Sequence, residues 1–261
     1  MALRDRSELA TAKRVVVKVG SSSISGENVG KIDLLVDALA KAHSRGVEVI
    51  LVSSGAIATG LPLLGMSVKP DDLATSQALA SVGQSRLISR YQQSLEKFSI
   101  VAGQVLLTSG DLEGAETREN AKRAIDRLVS LRVLPIVNEN DTVATQEIRF
   151  GDNDRLAALV AVLVEADALV LLSDVDALYD MPPVKPEAKR IDTVVFGSDL
   201  SQIEVGGSST SVGTGGAVTK VSAAQVATEA GVAVLLTNTD QVSLALDGAA
   251  VGTWFEADSS K

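Results

Sequence analysis

The stretch that decides the fold runs Pro-Ile-Val-Asn-Glu-Asn-Asp-Thr-Val-Ala over 135–144 and resumes as Phe-Gly-Asp-Asn-Asp-Arg-Leu-Ala-Ala over 150–158. Its first part predicts a short apolar strand, and its second part opens a helix with apolar residues at helical spacing. Helix capping explains one or two of the polar residues at 152–154. It does not explain Asn138 and Asp141 at the strand end, where open α/β sheets bind ligands. The pattern therefore favours a site for a small, polar, amine-bearing ligand over simple caps and turns.

Apolar strands and helical segments alternate along the rest of the chain. The predicted strands are residues 14–19, 47–52, 100–108, 133–137, 167–173, 232–237 and 253–255, and the longest helical stretch is 71–98, with a possible break near Gly83. Such alternation is typical of an α/β fold, a single three-layer αβα domain on a mainly parallel open sheet. We expect this domain to cover residues 1–261, with residues 1–13 as a flexible segment.

Composition excludes several classes of function. The 261 residues are 46% apolar but only 3% aromatic, which is typical of parallel strands covered by helices. The net charge of −9 and the lack of a Lys/Arg cluster argue against a nucleic-acid partner. Without cysteine, disulfides, thiolate nucleophiles and zinc–cysteine sites are excluded. The single histidine, His43, lies near the end of a predicted helix, where a surface or capping role is favoured over catalysis.

No targeting or membrane segment is evident in the sequence. Residues 1–13 are charged and lack the apolar core of a signal peptide, and no apolar run reaches the length of a membrane span. These observations predict a cytoplasmic protein without a membrane partner.

Lys18 lies inside an apolar strand, two residues before a Gly-Ser-Ser-Ser turn that begins at Gly20. A buried lysine is costly to desolvate unless it meets an anion, although an edge-strand lysine that extends to solvent is the alternative. The free N–H groups of the turn suit a phosphate. Ser53 and Ser54 begin a similar turn after the second strand, where a simple helix start explains the pattern equally well.

Residues 213–220, Gly-Thr-Gly-Gly-Ala-Val-Thr-Lys, form a glycine-rich segment that runs into a helix. Glycines let the backbone approach phosphates, and Lys220 adds a point charge; a flexible surface linker is the alternative. The segment matches neither a Walker A loop nor a dinucleotide fingerprint, which lowers the case for P-loop NTPases and dehydrogenases. Asp174, after a buried strand, suits a ribose or a hydrated metal, and a turn-forming Asp equally.

Together, two lysines, several phosphate-ready turns and an Asn/Asp cluster suit phosphoryl transfer, in which positioning and charge neutralisation do most of the work. A carboxylate acceptor is already ionised at neutral pH, so it requires no general base.

At these residues the chain resembles the amino acid kinase family, and within it the kinases of L-glutamate. The matching segments, in family order, are Val-Val-Val-Lys-Val-Gly-Ser-Ser (15–22), Val-Ser-Ser-Gly-Ala-Ile (52–57), Ala-Ser-Val-Gly-Gln (80–84), Val-Asn-Glu-Asn-Asp-Thr-Val-Ala (137–144), Phe-Gly-Asp-Asn-Asp (150–154), Leu-Ser-Asp (172–174) and 213–220. The Asn-Glu-Asn-Asp and Gly-Asp-Asn-Asp pair is the most discriminating, because the wider family shares the glycine and lysine segments.

The resemblance implies ATP-dependent phosphorylation of the side-chain carboxylate of L-glutamate, the first step towards proline. Lys18 and Lys220 would stabilise the transferring phosphoryl group, and Asp154 would orient both lysines. The residues implied to hold glutamate are Ser54, Asn138, Asp141 and Asn153, with help from Asp154. Those implied to hold the nucleotide are Lys18, Ser173, Asp174, Thr214, Gly215, Gly216, Ala217, Val218, Thr219 and Lys220. Mg²⁺ would bridge the phosphates, with no protein ligand implied.

The resemblance also implies feedback inhibition by proline and a homodimer or homotetramer. Many family members carry a C-terminal PUA domain, and this sequence stops where that domain would begin, so we expect the kinase domain alone. Ala177 replaces the usual glycine and Ala217 the usual methionine beside the nucleotide site.

Three alternatives stay open. Another family enzyme, such as an acetylglutamate kinase or a nucleoside-monophosphate kinase, is disfavoured by the Asn-Glu-Asn-Asp segment. A non-catalytic amino-acid sensor is disfavoured by retention of both lysines and Asp154. A nicotinamide dehydrogenase is supported by the fold class alone.

Overall fold

The computed structural model describes residues 3–144, 153–200 and 216–261. The strands there are β1 (Arg14–Val19), β2 (Glu48–Ser53), β3 (Ala102–Leu107), β4 (Leu134–Glu139), β5 (Ala168–Ser173), β6 (Leu178–Tyr179), β7 (Arg190–Ile191), β8 (Thr193–Val194), β9 (Ala233–Asn238) and β10 (Thr253–Phe255). The α-helices are α1 (Lys31–Ser44), α2 (Ala56–Leu63), α3 (Leu73–Glu96), α4 (Ser109–Glu113), α5 (Ala115–Ser130), α6 (Asn153–Leu163), α7 (Ala217–Glu229) and α8 (Val242–Leu246). Short 3-10 helices cover Arg6–Thr11, Ser21–Ser23, Gly26–Gly30 and Thr239–Gln241.

Eight strands form one sheet in the order β3-β4-β2-β1-β5-β9-β10-β8, and β6 pairs with β7. From β3 to β9 every neighbouring pair is parallel, whereas β10 runs antiparallel to β9 and pairs in parallel with β8. The predicted mainly parallel α/β sheet is therefore confirmed. Neighbouring strands end together, with Val19 opposite Ser53 and Ser173 opposite Asn238. We refer to this end of the sheet as the carboxyl edge.

Helices cover both faces of the sheet and complete the predicted three layers. Val15, Val17 and Val19 of β1 pack with residues of α1, α3 and α8, whereas Val16 packs with residues of α5, α6 and α7. Because side chains alternate along a strand, Lys18 shares the face of Val16 and points towards the layer of α6 and α7. Within the described ranges, no helix is both long and apolar enough to span a bilayer.

Part of the N-terminal segment forms regular structure. Residues 1–13 are predicted to be flexible, but Arg6–Thr11 form a 3-10 helix that Asp5 caps through the backbone nitrogen of Ser7. Leu9 in this helix is 1% exposed and belongs to the core that contains α1 and α8. Burial of Leu9 and Ala12, the cap, and the hydrogen bonds from Arg6 Nη1 to the carbonyl oxygens of Val251 and Gly252 all stabilise this segment.

Helix α3 is continuous at Gly83, where the sequence allowed a break. Gly83 lies where α3 packs against α2: a Cβ atom there would overlap the carbonyl oxygen of Ala56 and stand 2.6 Å from the backbone nitrogen of Gly60. A Cβ atom on Gly60 would overlap the carbonyl oxygen of Leu79. The two glycines therefore let the helix backbones touch, and this contact fixes the start of α2, directly after Ser54 and the following glycine.

We expect Gly83→Ala to destabilise the chain by about 1–3 kcal/mol, because the added methyl group must push the two helices apart. Urea unfolding would measure this change. Gly110→Ala is the control, since a Cβ atom on that helical glycine meets nothing closer than 3.7 Å. Equal stability of the two variants would contradict the close helix contact.

A surface cluster joins α1 to α3. Asp33 accepts hydrogen bonds from Arg90 at 2.6 Å, from Ser94 at 2.6 Å and from Lys97 at 3.2 Å. The Arg90 guanidinium and then the Ser94 hydroxyl hold the pKa of the Asp33 carboxyl below its usual range. A carboxyl with a depressed folded pKa adds stability above its unfolded pKa of about 3.9, and this stability is lost as the pH falls towards the folded pKa.

We therefore expect Asp33→Asn to lower the free energy of unfolding at neutral pH. Because the carboxylate contributes less as it becomes protonated, the difference from the unchanged chain should shrink as the pH falls below about 4. Urea unfolding over a pH series would measure it. A difference that does not change with pH would show that charge on Asp33 is not what stabilises the cluster.

Candidate active site

Three charged side chains meet near the carboxyl edge, and we refer to Lys18, Asp154 and Lys220 as the charge triad. Lys18 Nζ lies 2.6 Å from Asp154 Oδ1, and Lys220 Nζ lies 2.9 Å from Asp154 Oδ2. Asp154 is fully buried, and the two lysines are 2% and 6% exposed. The formal charges of these three side chains sum to one positive charge, and buried ammonium groups suit an anionic ligand.

Secondary structure explains why residues so far apart in the sequence meet here. Lys18 is the fifth residue of β1, Asp154 is the second residue of α6, and Lys220 is the fourth residue of α7. Thr219 donates a hydrogen bond from Oγ1 to Asp154 Oδ2 at 3.0 Å and is also 2.8 Å from the carbonyl oxygen of Gly216. The Asp154 carboxylate therefore links the first turn of α6 to the first turn of α7.

A second set of buried polar groups adjoins the triad, and we refer to Gln84, Asn138 and Asn153 as the amide network. Asn138 Nδ2 donates to Gln84 Oε1 at 2.8 Å, and Asn153 Nδ2 donates to Asn138 Oδ1 at 2.7 Å. Asn153 Nδ2 also donates to the carbonyl oxygen of Ser53 at 2.8 Å. The network therefore connects α3, β4, α6 and the end of β2.

Tyr91 provides a second link from α3 to the carboxyl edge. Its hydroxyl lies 2.9 Å from Ser53 Oγ, and the same Oγ donates to the carbonyl oxygen of Ser54 at 3.2 Å. Since Ser53 uses its own proton for Ser54, the tyrosine supplies the proton between them. Burial raises the pKa of the Tyr91 phenol, so this donor stays protonated at neutral pH.

The other predicted residues follow the ends of parallel strands. Ser54, after β2, and Asp141, after β4, are both partly buried. Ser173 ends β5 and donates a hydrogen bond from Oγ to Asp174 Oδ1 at 3.1 Å; Asp174 itself is exposed. All four lie at the carboxyl edge, as expected, and they are nearer to solvent than the fully buried Asp154 of the charge triad.

Part of the predicted nucleotide segment lies outside the described residues, namely Thr214 and Gly215. Gly216 precedes α7, and Ala217, Val218 and Thr219 form its first turn with Lys220. Val218 is 60% exposed. Within the described ranges, no group of three or more His, Cys, Asp or Glu side chains is placed to hold a metal ion.

Sequence reasoning missed Gln84 and Tyr91 as parts of the site. Gln84 lies on the buried face of α3, with Ala80, Gly83 and Leu87. A polar residue on an apolar helical stripe requires a buried partner, and this was the available signal. The partner could not be named, because it lies 54 residues away on β4.

Comparison with known proteins identifies the family of the chain. The model of the amino acid kinase family matches residues 13–238. A protein of Clavibacter sepedonicus named glutamate 5-kinase is 66% identical over 255 residues, which cover 98% of each chain. Another of that name, from Leifsonia xyli subsp. xyli, is 64% identical over 98% of this chain and 95% of its own. The structure of a carbamate kinase from Giardia lamblia bound to AMP-PNP covers 95% of this chain with a TM-score of 0.67 and 18% identity, which supports the fold.

Proposed function

Since this chain belongs to the amino acid kinase family, we propose that it transfers the γ-phosphoryl group of ATP to the side-chain carboxylate of L-glutamate. The product is γ-glutamyl phosphate, and the reaction is the first step of proline biosynthesis. The observation that carries the proposal is the buried charge triad at the carboxyl edge. The high identity to proteins named glutamate 5-kinase supports the choice of substrate.

The two lysines of the triad bind and neutralise the transferring phosphoryl group. Charge on its oxygens must be stabilised while the bond to ADP breaks and the bond to the acceptor forms, and preorganised cations in a water-poor site do this effectively. Asp154 sits between Lys18 and Lys220 and orients both ammonium groups. The glutamate carboxylate is ionised at neutral pH, so it attacks without giving up a proton.

The amino acid binds beside the triad, at the ends of β2 and β4. Asn138 and Asn153 are the innermost of its proposed contacts, and Ser54 and Asp141 lie further out on the same edge. Asn153 directly precedes Asp154 in α6. The acceptor carboxylate can therefore reach the phosphoryl group while the rest of the glutamate stays on the amide groups.

The nucleotide binds across the start of α7 and the end of β5. The backbone N–H groups of Gly216, Ala217 and Val218 belong to a helix N-terminus, which favours phosphate. Ser173 and Asp174 are proposed to hold the rest of the nucleotide. Thr214 and Gly215 complete the proposed phosphate loop.

Mg²⁺ is proposed to enter with ATP. The formal charges of the triad sum to one positive charge, whereas ATP and glutamate together bring several negative charges. A divalent cation would offset part of this excess negative charge. Phosphate oxygens and water are the ligands that Mg²⁺ prefers in such sites. When bound, the ion neutralises charge on the phosphates.

We further propose that residues 1–261 act as one kinase domain in the cytoplasm, where ATP and glutamate are available. Feedback inhibition by proline and a homodimeric or homotetrameric state complete the proposal. Proline titration of the initial rate and light scattering on a sizing column would test these two points.

The decisive experiment is ADP release with Mg-ATP and four separate acceptors: L-glutamate, N-acetyl-L-glutamate, L-aspartate and UMP. Hydroxylamine would trap an acyl phosphate as the hydroxamate. Release of ADP together with hydroxamate formation, for L-glutamate alone, is the expected result. Turnover with UMP or acetylglutamate would assign another reaction of the family, and ATP binding without turnover would indicate a sensor.

A further inference from the structure

The amide network has a fixed direction, because a backbone group stands at each end of it. The backbone nitrogen of Glu139 lies 2.9 Å from Asn138 Oδ1 and can only donate, so that atom must be the carbonyl oxygen. Asn138 consequently turns its amino group towards Gln84, which accepts through Oε1. At the other end, the carbonyl oxygen of Ser53 can only accept, so Asn153 turns its amino group towards Ser53 and Asn138.

The orientation of the amide groups decides whether the amino-acid subsite presents a hydrogen-bond acceptor or a donor. Both hydrogens of the Asn153 amino group are used, one on Ser53 and one on Asn138. Asn153 Oδ1 accepts no hydrogen bond from a residue that the structure describes. A carbonyl oxygen suits the ammonium group of an amino acid, so we take Asn153 Oδ1 as the group that the subsite presents. If the amide turned over, the same place would present an N–H donor, which repels an ammonium group.

Gln84, on α3, fixes the orientation of the amide groups in the network. It is 9% exposed, and its Oε1 is the acceptor for the amino group of Asn138. With an apolar residue at position 84, the amino group of Asn138 would be buried without this acceptor. A buried donor without an acceptor is destabilising. Rotation of Asn138 would not relieve it, because the amino group would then face two other donors, the amino group of Asn153 and the backbone N–H of Glu139. Loss of Gln84 therefore loosens both amides.

We propose that Gln84 is a positioning residue of the amino-acid subsite, acting through Asn138 on Asn153. The inference rests on the proposed function, because it takes these two asparagines as glutamate contacts. It predicts an effect on glutamate binding that spares the nucleotide, since Lys220 and the start of α7 have no part in the network.

The first test is Gln84→Leu, assayed for glutamate and for ATP. We expect KM for glutamate to rise about tenfold, the effect of one lost buried hydrogen bond, and KM for ATP to change less than about twofold. An unchanged KM for glutamate, or an equal rise in both KM values, would overturn the proposal. Gln92→Leu is the matched control. Gln92 lies on the same helix and accepts from the backbone nitrogen of Ala102 at 2.8 Å, so its loss should affect stability without affecting KM.

A double-mutant cycle tests the route through Asn138. If Gln84 acts through Asn138, adding Gln84→Leu to Asn138→Ala should raise KM for glutamate less than about twofold further. Effects that multiply would show that Gln84 acts by another route.

A third measurement does not depend on turnover. The side-chain amide protons of Asn138 and Asn153, observed by NMR, should exchange with solvent faster in Gln84→Leu than in the unchanged chain. Equal exchange would overturn the inference even if glutamate proved not to be the substrate. Conversely, an unchanged chain that fails to phosphorylate glutamate would refute the proposed function, while faster exchange in the variant would still support the positioning role.

Discussion

Replacement of Lys220 by Ala should lower kcat by about 100- to 1,000-fold, the range for loss of one preorganised group that stabilises transition-state charge. The triad would then contain Lys18 and Asp154 alone and would carry no net charge to offset the transferring phosphoryl group. The chain should remain folded, because Asp154 keeps Lys18 at 2.6 Å and Thr219 at 3.0 Å.

Steady-state rates with saturating ATP and glutamate, beside a thermal unfolding curve, would measure this effect. Lys41→Ala is the control, since Lys41 is 56% exposed and forms a surface ion pair with Asp247; such pairs contribute at most about 1 kcal/mol. A Lys220→Ala protein with unchanged kcat would show that the phosphoryl group is held elsewhere. A rise in KM for ATP alone would indicate that Lys220 contributes to ground-state binding instead.

The sheet and the charged residues of the site could be predicted from the sequence. The apolar strands alternate with helices, and a lysine inside the apolar segment of β1, together with the following turn, favours a buried anion over a lysine that extends to solvent. Strand periodicity even predicts which face Lys18 occupies, because Val15, Val17 and Val19 take the other face. The carboxylate that pairs with Lys18 was identified only through the resemblance, since 136 positions separate residues 18 and 154 in the sequence.

The partners of the buried polar residues on α3 could not be predicted from the sequence. Gly83 in a helical segment suggests a break by propensity, and only the approach of α2 explains why a glycine is needed there. Gln84 and Tyr91 face inward to partners on β4 and β2. Such contacts depend on how layers pack across the sheet, and local periodicity carries no information about them. The burial of Leu9 in the core beside α1 and α8 was beyond sequence reasoning for the same reason.

Asp154→Ala should be the most damaging single change, because it affects both stability and catalysis. Lys18 and Lys220 are 2% and 6% exposed, and the change would remove the carboxylate that separates their two positive charges. Removing one member of a buried ion pair costs about 3–5 kcal/mol. The rate should fall at least as far as in Lys220→Ala, since neither lysine would be held in place for the phosphoryl group.

The double variant Asp154→Ala/Lys220→Ala separates this explanation from simple loss of packing. If repulsion between buried like charges dominates, removing Lys220 as well should restore part of the stability, so the double variant should unfold at a higher urea concentration than Asp154→Ala. If the carboxylate only fills space, the second substitution would destabilise further. Asp154→Asn keeps the shape but not the charge, so it should regain stability more than activity. Full activity in Asp154→Asn would show that position 154 holds the lysines by hydrogen bonding alone and that its negative charge has no part in the reaction.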